Sequence, residues 1–407
     1  MKEVVFTKAK KYYLSVCSKP NLPSVAKITL FAQVIQQLPK DLIKSLIKKH
    51  GTDKHSKGFN TWSHLVSMIF CLFADCVSLR EISNGLHSAN GNLNHLGILR
   101  APSKSNIAYQ NEKRSCAFFR ECYYKLLNYF GQQVRFSGRK FRFKNAVYAL
   151  DSTIITLCAE VYDWAHYTHS KGAVKLHTLL NFMTLLPEYV HITDGKVADN
   201  TAARHVEVKP GSIVVSDRGY FDTRLLNIWD SIKVFFVVRV RDNLLYKRIE
   251  ERELPDNAYP EVLIDEIVML KGNETAEQYP KPIRRIAVYN AEHGFTIELL
   301  TNNMKLSAGT IAGLYKARWD IEVFFRNLKQ NFHIKSFVGT SSNAVEIQIW
   351  TALINILLFA VLKQQATYKW HFSNLVSSLR LNTFTKIDLY KWINKPFTPP
   401  PENEFDT

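Results

Sequence analysis

Residues 315–333 read Tyr315-Lys-Ala-Arg318-Trp-Asp-Ile-Glu322-Val-Phe-Phe-Arg326-Asn-Leu-Lys329-Gln-Asn-Phe-His333, with no Gly or Pro to interrupt a helix. At roughly 100° per residue, Tyr315, Arg318, Glu322, Arg326, Lys329 and His333 share about a third of the helical circumference. Leu314, Ala317, Ile321, Phe324 and Leu328 fall opposite, which predicts a helix packed by its apolar face. The exposed stripe is one carboxylate among cations and a tyrosine. It reads in two ways. One is a surface helix with an intrahelical pair of Arg318 and Glu322. The other is a metal-binding carboxylate surrounded by cations that grip phosphates, and that reading needs partner carboxylates elsewhere.

Upstream, residues 146–150 form an apolar strand ending at Asp151, which residues 154–157 continue. Strands follow at 174–182 and 189–192, a helix at 200–208, and a strand at 212–216 ending at Asp217-Arg-Gly-Tyr220. A helix over 222–230 and a strand over 233–240 complete an α/β unit, a mixed sheet flanked by helices. Residues 241–305 hold Pro255, Pro260, Pro280 and Pro282 and strand-like runs at 262–270, 283–289 and 295–301, which reads as a β-rich insertion. Either aspartate alone reads as a cap or turn residue. Strand ends are also where α/β folds hold reactive groups rigidly and within reach of solvent. Asp151, Asp217 and Glu322 make a candidate trio, since three converging carboxylates bind Mg²⁺ through hard oxygens. Two such ions clamp the attacking and leaving oxygens of a phosphodiester.

Charge points the same way. Residues 1–140 hold 22 Lys and Arg against 7 Asp and Glu, whereas residues 141–407 hold 31 against 29. A basic N-terminal third on a nearly neutral remainder predicts a polyanion-binding module, with nucleic acid the default partner. That asymmetry fits a two-carboxylate glycosidase poorly. Residues 1–27 read as a basic arm or an extension, and 28–140 as helical, with a capping box at Ser78-Leu-Arg-Glu81. Lys104, Asn106, Gln110, Lys113 and Arg114 lie on a polar-basic helix after a turn, a pattern compatible with a helix-turn-helix that reads base edges and grips phosphates. Six scattered cysteines without a Cys-x-x-Cys pair suit a reducing compartment. The polar, lysine-rich start predicts no signal peptide. The apolar run at 349–362 falls short of the ~20 residues that span a bilayer and reads as a buried helix, so no membrane partner is expected.

The spacing Tyr315, Arg318, Glu322, Lys329, with the Asp151-Ser-Thr and Asp217-Arg-Gly-Tyr contexts, resembles the DDE transposases of bacterial insertion sequences, in the group called the IS-four family. The resemblance runs from about residue 31 to about residue 350. It implies a ribonuclease-H-like core over 141–240 and 306–340, interrupted by the β-rich insertion at 241–305. A helical DNA-binding domain precedes this core, and a C-terminal helical region and tail over 341–407 follow it. Asp151, Asp217 and Glu322 would hold Mg²⁺, with Mn²⁺ able to substitute. Tyr315, Arg318 and Lys329, with Arg326 beside them, would hold phosphates near the cut, and Lys171 and Lys175 would add DNA contacts. The implied partners are duplex DNA (terminal inverted repeats and target) and a second copy of the chain, in a bacterial cytoplasm at the nucleoid. Relatives that cut through a hairpin stack a tryptophan of the insertion on a flipped base. All seven tryptophans here lie outside residues 241–305. The competing expectations are a ribonuclease-H-like nuclease without strand transfer and a transposase-derived protein that only binds DNA.

Overall fold

The computed structural model describes residues 26–397, apart from 55, 57, 90, 135, 137–142, 159–161, 163, 165, 169–170, 241–243, 255–259, 293, 333 and 335. Among the described residues six α-helices come first: α1 (Leu30–Ile35), α2 (Lys40–His50), α3 (Thr61–Phe73), α4 (Leu79–His87), α5 (Lys104–Lys113) and α6 (Cys116–Gln133). Their starts are written locally. Thr29, Asn60, Ser78, Ser103 and Ser115 each accept a backbone N–H of the helix that follows them. At α4 the capping box is partly formed, with Ser78 accepting from the Glu81 N–H while the Glu81 carboxylate accepts from the Val77 N–H and the Ser78 hydroxyl. Between α4 and α5 lies a 3-10 turn at Asn92–Leu96, so the two are not joined by the short turn of a helix-turn-helix.

Ten described strands make one sheet: β1 (Val147–Cys158), β2 (His166–Thr168), β3 (Lys171–Asn181), β4 (Pro187–Asp194), β5 (Ile213–Ser216), β6 (Phe235–Arg239), β7 (Tyr246–Glu251), β8 (Val262–Leu270), β9 (Ile283–Asn290) and β10 (Phe295–Thr301). The order is β2-β3-β1-β5-β6-β10-β9-β8-β7, with β4 also on β3. β1 runs antiparallel to β3 and parallel to β5, and β5 runs parallel to β6. Two short helices, α7 (Asp199–Ala203) and α8 (Thr223–Ser231), lie between these strands in the chain, and α9 (Asn273–Gln278) precedes β9. The β-rich segment is not a separate layer. Its last strand, β10, pairs antiparallel with β6, so the insertion widens the sheet that carries the aspartates.

The chain then forms α10 (Ala308–Ala317), α11 (Trp319–Asn331), α12 (Ser342–Gln365), α13 (Phe372–Leu381) and α14 (Leu389–Asn394). Residues 315–333 are therefore not one uninterrupted helix. Arg318 closes α10 and opens α11 while keeping helical dihedrals of −53° and −30°, with i→i−3 bonds on both sides of it. A tightening of this kind needs no Gly or Pro, so composition does not announce it. The packed face agrees with the periodicity: Leu314, Ala317, Ile321, Phe324 and Leu328 are all buried.

α12 binds the molecule together. At 24 residues it exceeds the apolar run read from the sequence and is long and apolar enough to cross a bilayer, but it lies buried inside the protein. Trp350 packs on Tyr123 and Tyr124 of α6, and Phe359 stacks on Phe73 of α3. The Asn343 amide donates to the carbonyls of Asn111 and Arg114. Tyr123 in turn donates to the Pro187 carbonyl at the start of β4. N-terminal helices, sheet and C-terminal helices thus share one apolar core.

Candidate active site

The sheet register brings the two aspartates together. Parallel pairing of β1 and β5 runs from Val147↔Ile213 to Leu150↔Ser216 and stops there, so the next residues on the two strands are Asp151 and Asp217. Asp151 does not end its strand: β1 continues to Cys158, held on its other side by β3 through Asp151↔Thr178. Beyond Ser216, Asp217 caps the 3-10 turn Arg218–Tyr220 and accepts the Gly219 N–H at 2.9 Å. A side chain at Gly219 would put its Cβ 3.1 Å from the Asp217 carboxylate, so glycine leaves that oxygen accessible.

Glu322 arrives on α11, and Arg318 ties it to the sheet. One guanidinium nitrogen donates to Asp151 Oδ2 at 2.9 Å and another to Glu322 Oε1 at 2.9 Å. The intrahelical pair and the convergence on Asp151 are thus the same interaction. The resemblance implies a phosphate for Arg318; in the structure two carboxylates share it, with the Tyr315 ring 5.7 Å from its Cζ. Burial works against its charge, yet Tyr315, Asp151 and Glu322 hold its pKa above the ordinary value. Asp151 moves in the opposite sense for a carboxylate. Burial, aided by the charges of Asp217 and Glu322, pushes it up to about 7, although Arg318 and the Ser152 N–H pull it down. Among the described residues no three carboxylate, imidazole or thiolate groups lie close enough to share a metal ion. The donor set nonetheless suits a hard divalent cation: three carboxylates couple electrostatically, and one of them, half-buried Asp151, is costly to ionise without added positive charge.

A second group of polar residues escaped sequence reasoning. Asp199, at the start of α7, accepts from Ser152 Oγ at 2.6 Å and pairs with Lys175 Nζ at 2.9 Å, with His177 Nδ1 at 3.5 Å. Ser152 and His177 are cross-strand partners. Tyr220 is buried beside them, its pKa raised by burial and by the charges of Asp199, Asp151 and Asp217, so its hydroxyl keeps its proton. Nothing in the sequence around Asp199 marks it. Only the β1–β3 register makes it a neighbour of the Asp151 strand.

Several expected DNA contacts are placed differently. Lys175 is buried, its ammonium held by Asp199 and the Val197 carbonyl. Arg114 points inward, donating to the carbonyls of Phe59 and Asn60, so it does not read bases from the surface. Burial therefore corrects both assignments. Lys104, Asn106 and Lys113 are exposed on α5 and Gln110 is half-buried; Arg326 is exposed and Lys329 half-buried on α11. The side chain of Lys171, and His333, lie outside the described residues.

The family model described as "Transposase DDE domain" matches residues 142–358, and one described as "Domain of unknown function (DUF4372)" matches residues 26–99. The chain is 31% identical over 262 residues to a protein of Sinorhizobium fredii (strain NBRC 101917 / NGR234) named as the transposase y4zB, covering 64% of this chain and 72% of that one. It is 29% identical over 231 residues to a protein of Geobacillus stearothermophilus named as a transposase for insertion sequence element IS5377, covering 57% and 60%. A protein of Synechocystis sp. (strain ATCC 27184 / PCC 6803 / Kazusa), named as a transposase for insertion sequence element IS4SA, is 22% identical over 267 residues, covering 63% and 71%. With that match spanning Asp151, Asp217 and Glu322, this chain belongs to the DDE transposases of insertion sequences.

Proposed function

We propose that the chain binds the terminal inverted repeats of an insertion sequence and catalyses metal-dependent cleavage and strand transfer of DNA. The observation that carries this reading is the end of the β1–β5 ladder, where Asp151 and Asp217 emerge side by side opposite Glu322. The strand order β4-β3-β1-β5-β6, with the first three antiparallel and β5 and β6 parallel to β1, supports a ribonuclease-H-like core. In this reading Asp151, Asp217 and Glu322 hold Mg²⁺, or Mn²⁺ in its place. Two ions bound there would polarise the phosphodiester and stabilise the attacking and leaving oxygens. Added positive charge there would favour the ionised form of Asp151, which burial otherwise disfavours. With that counter-charge supplied, Arg318 would no longer be needed between the two carboxylates and, with Tyr315, Arg326 and Lys329, would hold the phosphates flanking the cut, where charge-assisted bonds count most. Lys104, Asn106, Gln110 and Lys113 on α5 face the terminal repeat. The active species is a homodimer on paired ends, acting at the nucleoid in the bacterial cytoplasm.

The test supplies the full chain with two duplexes bearing the terminal repeats, a supercoiled target and Mg²⁺. Joined end–target product is expected, and chelation should abolish it. Nicked ends without joined product would assign the chain to the nucleases that cut only. No cleavage in either metal, with end binding intact, would leave a DNA-binding protein.

A further inference from the structure

The unassigned segment at residues 26–99 carries a built surface. Lys40, Lys44 and Lys48 recur every four residues along α2 and are all exposed, so they form a single stripe. By helical rise successive lysines stand about 6 Å apart, and the stripe spans about 12 Å. Lys54, beyond the end of α2, lines with them a groove of about 560 Å³ that Trp62 also lines. The indole is fixed there. Its Nε1 donates to the Leu96 carbonyl at 2.8 Å, and Gly97, at φ +72°, lets the backbone pass where a Cβ would come within 2.9 Å of that nitrogen. Lys40 Nζ stands 5.9 Å from the Trp62 ring centre.

Counter-charge in this groove is already used. Asp53, the one carboxylate among its described lining residues, accepts from the N–H and Oγ1 of Thr61, both at 2.6 Å, with Arg114 at 3.9 Å. Asp41 lies 3.7 Å from Lys44, but both side chains are largely in water, where such a pair is weak. On the other side of α2, Lys49 and His50 are tied to Glu121 and take no part in the stripe.

We propose that this groove grips the phosphate backbone of duplex DNA, with Lys40, Lys44 and Lys48 each neutralising one phosphate of one strand. A strand rises about 3.4 Å per nucleotide along the duplex axis while turning around it, so the path between successive phosphates is longer than that rise. Lysines about 6 Å apart can therefore each meet one phosphate. Ile47 and Trp62, the large apolar side chains that line the groove, are half-buried against the core and not free to insert, so an anionic lipid surface fits less well than a nucleic-acid backbone. The proposal rests on the chain's acting on DNA. It assigns sequence-independent affinity to α2 rather than to α5.

The experiment uses the full chain, without divalent metal, and a fluorescent duplex of arbitrary sequence, with anisotropy followed against KCl. For the Lys40→Gln/Lys44→Gln/Lys48→Gln variant, the slope of log K against log salt should flatten by about 2.7, or about 0.9 for each phosphate left without its lysine. Lys49→Gln should keep the wild-type slope, and both variants should melt as wild type does. A triple variant with wild-type slope and affinity overturns the proposal. So does a triple variant that keeps DNA binding but loses the wild type's co-sedimentation with phosphatidylserine/phosphatidylcholine vesicles. If that happens while the wild type still joins paired ends, only the α2 assignment fails. A wild type that binds no duplex at any salt removes the transposition reading as well.

Discussion

Arg318 makes the intrahelical pair with Glu322 that spacing offers and adds a bond to Asp151 that spacing does not show. It supplies the positive charge that makes two buried or half-buried carboxylates tolerable, and Asp151 is the one that suffers most without it. Arg318→Ala should therefore melt lower than wild type in metal-free buffer, and Mg²⁺ should raise its melting temperature more than it raises the wild type's. Thermal melts with and without Mg²⁺ check this, and an unchanged metal-free melt would mean the bridge contributes nothing. A second residue links stability to pH. His64 is fully buried against Asn111 Oδ1, and burial, with the charge of Arg114 beside it, lowers its pKa to about 3. The unfolded chain takes up that proton near pH 6.5 and the folded chain only near 3, so this residue's contribution is full above 6.5 and is lost as pH falls toward 3. Urea unfolding of wild type and His64→Gln at pH 7 and pH 4 should show the smaller acid loss in the variant. Equal losses would assign acid sensitivity elsewhere.

At the scale of elements, packing overrides propensity. Gly85 lies inside α4, where alanine would ordinarily gain about 1 kcal/mol of helix propensity. A Cβ there would come within 2.7 Å of the Phe70 ring, which is buried between Phe31 and Phe384. Gly85→Ala should thus destabilise by roughly 1–3 kcal/mol, measured by urea unfolding, and a gain would show that the ring moves freely. Phe324→Ala on the packed face of α11 should cost about 2–5 kcal/mol, whereas Arg326→Ala on the exposed face should cost little and lower cleavage instead. These faces were legible because 3.6-residue periodicity reports burial directly. Asp151 and Asp217 were legible because each follows an apolar run. The break at Arg318 was not, since its dihedrals remain helical. Nor were β2 and β7: β7 reads Tyr-Lys-Arg-Ile-Glu-Glu and is mostly exposed, so no alternation marks it. Asp199, Lys175 and Arg114 depend on contacts between distant segments, which local pattern does not encode.

For the whole molecule, the charge asymmetry and the shared core act together. The basic helices are not an appendage, because α12 fills the space between α3, α6 and the sheet and so fixes the α2 and α5 surfaces relative to the carboxylates. An isolated segment 1–140 would expose the apolar face that α12 covers, so DNA binding is better measured on the full chain. The central claim is that three carboxylates from distant parts of the chain form one metal-dependent cutting centre, separate from the basic surface that supplies affinity. The most direct measurement is single-turnover cleavage of a terminal-repeat duplex in Mg²⁺ by Asp151→Asn, Asp217→Asn and Glu322→Gln, with binding of the same duplex followed in parallel. Each variant should bind as wild type does and fail to cut. A variant that cuts at the wild-type rate would contradict the claim for that residue, and loss of binding in all three would merge the two surfaces that the account keeps apart.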